Sequence, residues 1–162
     1  MSKLENISEL PGLSYKNLDD NFRRHGVPIA YLFGSQKDAG FAYRAGQEHV
    51  SPDQRSDLDL GVIFFRFPER PHRAYMDLYA DLADAFDPFN LDLVLLQETG
   101  FLFQHEAIQG RVLFCDDGEF LDDYEEMVLK RASDLAFKQA SFRHDFFEAM
   151  DNGYFQIESD QN

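Results

Sequence analysis

The sequence predicts an α/β fold, α+β in detail: a mixed sheet of about four strands with helices packed on it. Three observations carry this. Short apolar runs, each suited to one buried strand, recur at residues 29–33, 58–65, 91–96 and 111–115. Between them lie stretches with apolar residues at helical spacing, so the two kinds of element alternate. Glycine or proline stands at most of the junctions, at Gly26, Pro28, Gly34, Pro68, Pro71 and Gly110.

Each element has its own grounds. Tyr15 to His25 sets Leu18 and Phe22 four apart and is stopped by Gly26 and Pro28, which predicts a helix. Ile29 to Phe33 is an uninterrupted apolar run ending at Gly34, a buried strand. A helix can start in the part from Ser35 to Tyr43. Gln47 to Arg55 is almost wholly polar and contains Pro52, so residues 38–55 read as a polar insert ending in an exposed loop. Leu58 to Phe65 is rich in large and branched apolar residues, a central strand. After Pro68 and Pro71, Ala74 to Phe86 carries Met76, Tyr79, Ala80 and Ala83 at helical spacing. Leu91 to Leu96 is a further strand. Thr99 to Gln109 reads as a helix with Phe103 and Ala107 on one face, stopped by Gly110. Arg111 to Cys115 is a short strand. Asp122 to about Met150 is a long amphipathic helix with Tyr124, Val128, Leu135 and Phe142 along one side. The tail, 153–162, is polar and reads as frayed.

The 162 residues suit one domain with a sizeable core, spanning about residues 15–150, and neither repeat nor linker is visible. Met1 to Leu10 is polar and acidic, unlike a secretory signal, and no apolar run reaches the length of a membrane span. Cys115 is the one cysteine, so an intramolecular disulfide and a thiolate zinc site are excluded. Its apolar neighbours predict a core thiol, and a cytoplasmic location follows. Formal net charge is −15. That opposes direct binding of nucleic acid, which needs clustered Lys and Arg, and favours metal cations or a basic protein partner. The five histidines show no paired metal spacing.

The chemistry sits on acids that interrupt apolar runs. Ser56-Asp57-Leu58-Asp59-Leu60 opens one strand, and Leu91-Asp92-Leu93 opens another. Asp57 and Asp59 point to one face, opposite Leu58, Leu60 and Val62. They lie roughly 6–7 Å apart along the strand. At an effective dielectric near 20 their repulsion is on the order of 2–3 kcal/mol. A metal ion, a basic partner or water must offset it. An isolated D-x-D is more often the outward face of a half-exposed strand. Asp92, the one acid in a strand otherwise apolar, shifts the balance towards three converging carboxylates. An all-oxygen set of this kind suits Mg²⁺, which takes a few carboxylates and leaves room for water and phosphate oxygens. Gly34-Ser35 adds a turn where backbone can approach a ligand and a hydroxyl can meet a phosphate. No Walker motif or dinucleotide-binding glycine pattern is present. Ser35 has no nearby histidine to activate it as a nucleophile.

In this combination, Gly34-Ser35, then Asp57-x-Asp59, then Asp92 on a later strand, the chain resembles the nucleotidyltransferase superfamily that includes DNA polymerase β. Tyr-Leu-Phe-Gly-Ser, Ser-Asp-Leu-Asp-Leu and the small size resemble its minimal nucleotidyltransferases, typically antitoxin partners of HEPN-domain toxins. The resemblance covers roughly Tyr15 to Met150. It departs from the family in the long interval between Ser35 and Asp57, in a glycine displaced to Gly40, and in basic residues of the turn reduced to Lys37.

The resemblance implies transfer of a nucleoside monophosphate from ATP or another NTP to an acceptor hydroxyl. It implies two Mg²⁺ ions, or Mn²⁺, held by Asp57, Asp59 and Asp92. Gly34 and Ser35 would hold the outer phosphates, with Lys37 and Arg55 neutralising phosphate charge. It further implies that the acceptor belongs to a partner protein, a HEPN-type RNase toxin. Two alternatives remain: an antitoxin that neutralises by binding alone, and a small-molecule nucleotidyltransferase, for which no substrate-binding domain is visible. Homo-oligomerisation is left open by the sequence.

Overall fold

The computed structural model describes residues 15–47, 52–53 and 55–153. The expectations for the N-terminal segment, the tail from residue 154 and part of the polar loop lie outside them. Ten residues, Tyr15–Arg24, form helix α1, and Ile29–Phe33 form strand β1. Helix α2 is Lys37–Arg44, strand β2 Leu58–Ile63, and helix α3 Pro71–Phe86. Strand β3, Leu91–Leu95, leads through a 3-10 turn at Leu96–Glu98 into helix α4, Phe101–Ile108. Strand β4, Arg111–Cys115, precedes helix α5, Gly118–Asp151.

The four strands form one sheet in the order β3-β2-β1-β4. β1 runs antiparallel to β2 and β4, whereas β2 and β3 are parallel. The parallel pair is joined by α3, since a parallel return needs a crossover. Strand alternation gives the sheet two apolar faces. On one, Ala30, Leu32, Leu58, Leu60, Val62, Leu93 and Leu95 pack with Leu18 and Phe22 of α1 and Leu78, Leu82 and Phe86 of α3. On the other, Ile29, Tyr31, Phe33 and Ile63 pack with Ala107 and Ile108 of α4 and Leu121, Tyr124 and Val128 of α5. Both central strands, β1 and β2, are covered on both sides, so they read as apolar runs.

Several boundaries differ from the sequence expectation. α3 begins at Pro71, because a proline ring and its missing N–H are tolerated in the first helical turn. β2 ends at Ile63. α5 starts at Gly118, where Asp117 caps it by accepting from the backbone N–H groups of Glu119 and Phe120. The first part of the polar insert is a packed helix: Gly40 faces Leu58 and Leu32, and the buried Arg44 pairs with Asp19. Arg111 holds α2 to β4, with its guanidinium 3.7 Å above the Phe41 ring and 3.1 Å from Asp38. Cys115 ends β4 and is half-buried rather than fully buried; burial pushes its thiol pKa up. In α5, Leu135 and Phe142 do not join the core. Tyr124, Val128 and Ala132 are buried, but none of the described residues after Ala132 is.

Candidate active site

The register of the sheet builds the site. β2 and β3 pair in parallel with Leu58 level with Leu91 and Asp59 level with Asp92. Antiparallel pairing sets Phe33 level with Asp59. The two acids therefore lie side by side on the α4–α5 face, at the end where β1 gives way to Gly34. The leucines between the acids point into the opposite core, which fixes which way the carboxylates point.

Gly34 has φ of +73°, a left-handed conformation that glycine adopts without steric cost. Its missing side chain is also used. A Cβ there would lie 2.0 Å from Asp59 Oδ2, so the carboxylate occupies the space above Gly34. Asp59 is half-buried. Burial, then the Asp92, Asp57 and Glu106 carboxylates, raise its pKa above the usual aspartate value. Four acids thus act on one spot, with Asp59 at the centre.

Asp57 lies just ahead of β2 and is exposed. Its Oδ1 accepts a hydrogen bond from Asn90 Nδ2. Asn90 precedes β3 as Asp57 precedes β2, so the in-register strands set the two side by side. Behind Asp57, the buried Gln36 fastens the approach to β2. Its Nε2 donates to the carbonyls of Asp53 and Ser56, and its Oε1 accepts from the Asp53 N–H at 2.9 Å.

Ser35 is exposed beside Gly34, and Lys37 is half-buried at the start of α2. The backbone N–H of Arg55 donates to Asp53 Oδ1, while the residue itself is exposed. The structure thus brings Asp57, Asp59, Asp92 and Gly34 together. Ser35 and Lys37 lie at the rim, and Arg55 is fixed to the loop by its backbone. His25 is remote from the acids in the sheet and bonds Asp81 through Nε2 at 2.6 Å.

Sequence reasoning missed Gln36, Asn90 and Glu106. Asn90 had a signal: Asn90-Leu91-Asp92-Leu93 repeats the pattern of Asp57-Leu58-Asp59-Leu60. Gln36 and Glu106 had none, since each reaches the site from a helix or turn whose docking the sequence does not state. Phe103, on α4, meets Phe33 edge-on at 5.7 Å and adds an aromatic wall beside Asp59.

Among the described residues, no group of three His, Cys, Asp or Glu side chains could hold a metal ion as placed. The donor chemistry nonetheless fits a hard divalent cation. The donors are all carboxylate oxygens, and after burial it is their mutual repulsion that raises Asp59.

Residues 16–119 match the family model for polymerase beta nucleotidyltransferases. No curated protein sequence matches the chain. Among solved structures, one is similar at TM-score 0.57 and 17% identity, covering 83% of this chain and 97% of its own. It is a tri-AMPylated Shewanella oneidensis HEPN toxin in complex with MNT antitoxin. A toxin–antitoxin complex with AMP-PNP is similar at TM-score 0.58 and 19% identity, covering 83% of this chain and 99% of its own. A variant of the MntA-HpeT toxin–antitoxin pair gives 0.58 and 18%, covering 82% and 98%. At these identities the likeness shows a shared fold. No helix among the described residues is long and apolar enough to cross a membrane.

Proposed function

The chain belongs to the polymerase beta nucleotidyltransferase family, and from that premise we propose that it transfers AMP from ATP to a hydroxyl of a partner protein, a HEPN-domain toxin that it neutralises. The observation that carries this is the in-register Asp59 and Asp92 with the Asp59 carboxylate seated over Gly34. The solved complexes similar in fold include an AMPylated toxin and a nucleotide analogue, which supports the choice of AMP and of a protein acceptor.

The residues divide the work. Asp57, Asp59 and Asp92 would hold divalent Mg²⁺, or Mn²⁺. When bound, such ions supply charge stabilisation for the attacking and leaving oxygens. Gly34 brings backbone close enough for its turn to cradle the outer phosphates, with the Ser35 hydroxyl as a further donor. Lys37 and Arg55 are the cations that would offset phosphate charge. Asp92, exposed at the start of β3, accepts the proton of the acceptor hydroxyl. The acceptor oxygen then bonds to the α-phosphorus, the bond to the β-phosphate oxygen breaks, and pyrophosphate leaves. Asn90 orients Asp57, and Gln36 fixes the segment that delivers it. A net charge of −15 favours a basic partner over a nucleic-acid acceptor. An AMP group placed on a basic surface adds negative charge and bulk where RNA would bind.

A second reading is neutralisation by binding alone. It draws on the fact that no three described side chains stand as a ready metal cage. One experiment separates the two. The toxin is co-expressed with the wild-type chain or with Asp57→Asn and weighed intact by mass spectrometry. The transfer reading requires an added AMP mass with the wild type and none with the variant. An unmodified toxin, inhibited equally by both, establishes the binding reading.

A further inference from the structure

The turn at Gly34 and Ser35 is short of positive charge. From Gly34 to Tyr43 the chain carries one cation, Lys37, and one acid, Asp38. A further cation reaches this segment from β4. Arg111 stands level with Leu32 across the β1–β4 pair. Gly34 is two residues on from Leu32, roughly 7 Å at the usual strand rise. The entry to β4 is closely set. A Cβ on Gly110 would collide with the Leu32 carbonyl oxygen, so glycine lets the chain approach β1 just ahead of Arg111.

The Arg111 guanidinium lies 3.7 Å above the Phe41 ring, and its Nη1 donates to Asp38 Oδ1 at 3.1 Å. Stacking fixes the plane of the group and leaves its edge of N–H donors open to oxygen acceptors. The pairing with Asp38 is a surface one, with the two side chains 39% and 71% exposed, and such pairs hold weakly. A phosphate carries more charge and offers several oxygens to the planar fork, so it is the stronger partner.

We propose that Arg111 is a further binding residue for the triphosphate of the nucleotide. It stays on Phe41, gives up Asp38, and donates to the outermost phosphate at the Gly34-Ser35 turn. Asp38 is the resident anion that the nucleotide displaces. This deepens the transfer reading above and rests on its placing of the outer phosphates.

Calorimetric titration of the full chain with MgATP, without any partner protein, tests this. Arg111→Gln is expected to weaken MgATP binding at least about tenfold, and MgADP binding much less. Arg111→Lys keeps the charge but loses the fork, and should fall between. Asp38→Asn should bind MgATP more tightly than the wild type, because Arg111 no longer has to be freed. That sign separates the proposal from a purely structural role. If the pair only pins α2 to β4, Asp38→Asn and Arg111→Gln both lower the melting temperature and neither tightens binding. Such a result overturns the proposal, as does an Arg111→Gln protein that binds MgATP like the wild type. A wild type that does not bind MgATP overturns both this proposal and the transfer reading. Tighter binding by Asp38→Asn, beside a partner that the wild type leaves unmodified, supports the proposal and sinks the transfer reading alone.

Discussion

The Asp59 carboxylate fills the space that a side chain on Gly34 would take, with Oδ2 2.0 Å from the position of a Cβ. Glycine is therefore needed twice at one position, for its φ of +73° and for the room it leaves. Gly34→Ala is expected to cost about 1–3 kcal/mol in stability from the left-handed backbone. It should also push Asp59 out of line with Asp92 and abolish nucleotide transfer. Urea denaturation and a transfer assay check the two effects separately. An alanine variant with full activity would show that Asp59 does not need its present position.

Asp59 makes the stability of the chain depend on pH. Its folded pKa is raised, by burial first and by Asp92, Asp57 and Glu106 after it. Between the ordinary aspartate value and the raised one, the folded state binds more protons than the unfolded state. Stability contributed by this group therefore falls as pH rises through its folded pKa. Asp59→Asn removes the penalty. It should raise the melting temperature at neutral pH, the gain should vanish in acid, and transfer should be lost. Thermal melts of both proteins across the acid range measure this. Mg²⁺ with ATP should raise the melting temperature of the wild type more than that of the variant.

Asn90 positions Asp57 through one hydrogen bond to Oδ1. Removing a partner that orients a metal ligand usually costs about 10–100-fold in activity or metal affinity. Asn90→Ala is expected to fall in that range. The loss should lie in kcat and in the Mg²⁺ requirement, with the melting temperature nearly unchanged. Steady-state rates over a Mg²⁺ titration give both quantities.

Gln36 is buried and bonds three backbone groups between Asp53 and Ser56. Gln36→Ala leaves those groups without that partner, at about 1–3 kcal/mol for each one that stays buried and unsatisfied. The chain ahead of Asp57 should loosen. Limited proteolysis should cut the variant near Arg55 faster than the wild type, and transfer should slow.

The strands, their order in the sequence and the pairing of acids with apolar runs were legible in the chain. Alternation forces this: a strand buried on both faces must be apolar throughout, so Asp59 and Asp92 stand out as exceptions. Asn90-Leu91-Asp92-Leu93 repeats the pattern of Asp57-Leu58-Asp59-Leu60, but only the parallel pairing shows that the two stretches stand level. Local sequence thus determined which acids interrupt the apolar runs and on which elements they stand. Tertiary structure alone decided what meets them. The roles of Gln36 and Glu106 and the docking of α2 through Arg111 and Arg44 are contacts between segments far apart in the chain. Their partners are set by how helices settle on the sheet, and no local periodicity encodes that. The same holds for α5. Its stripe is continuous in sequence from Leu121 to Met150, yet the core reaches only to Ala132, because burial depends on what lies beneath a face and periodicity reports only that the face exists.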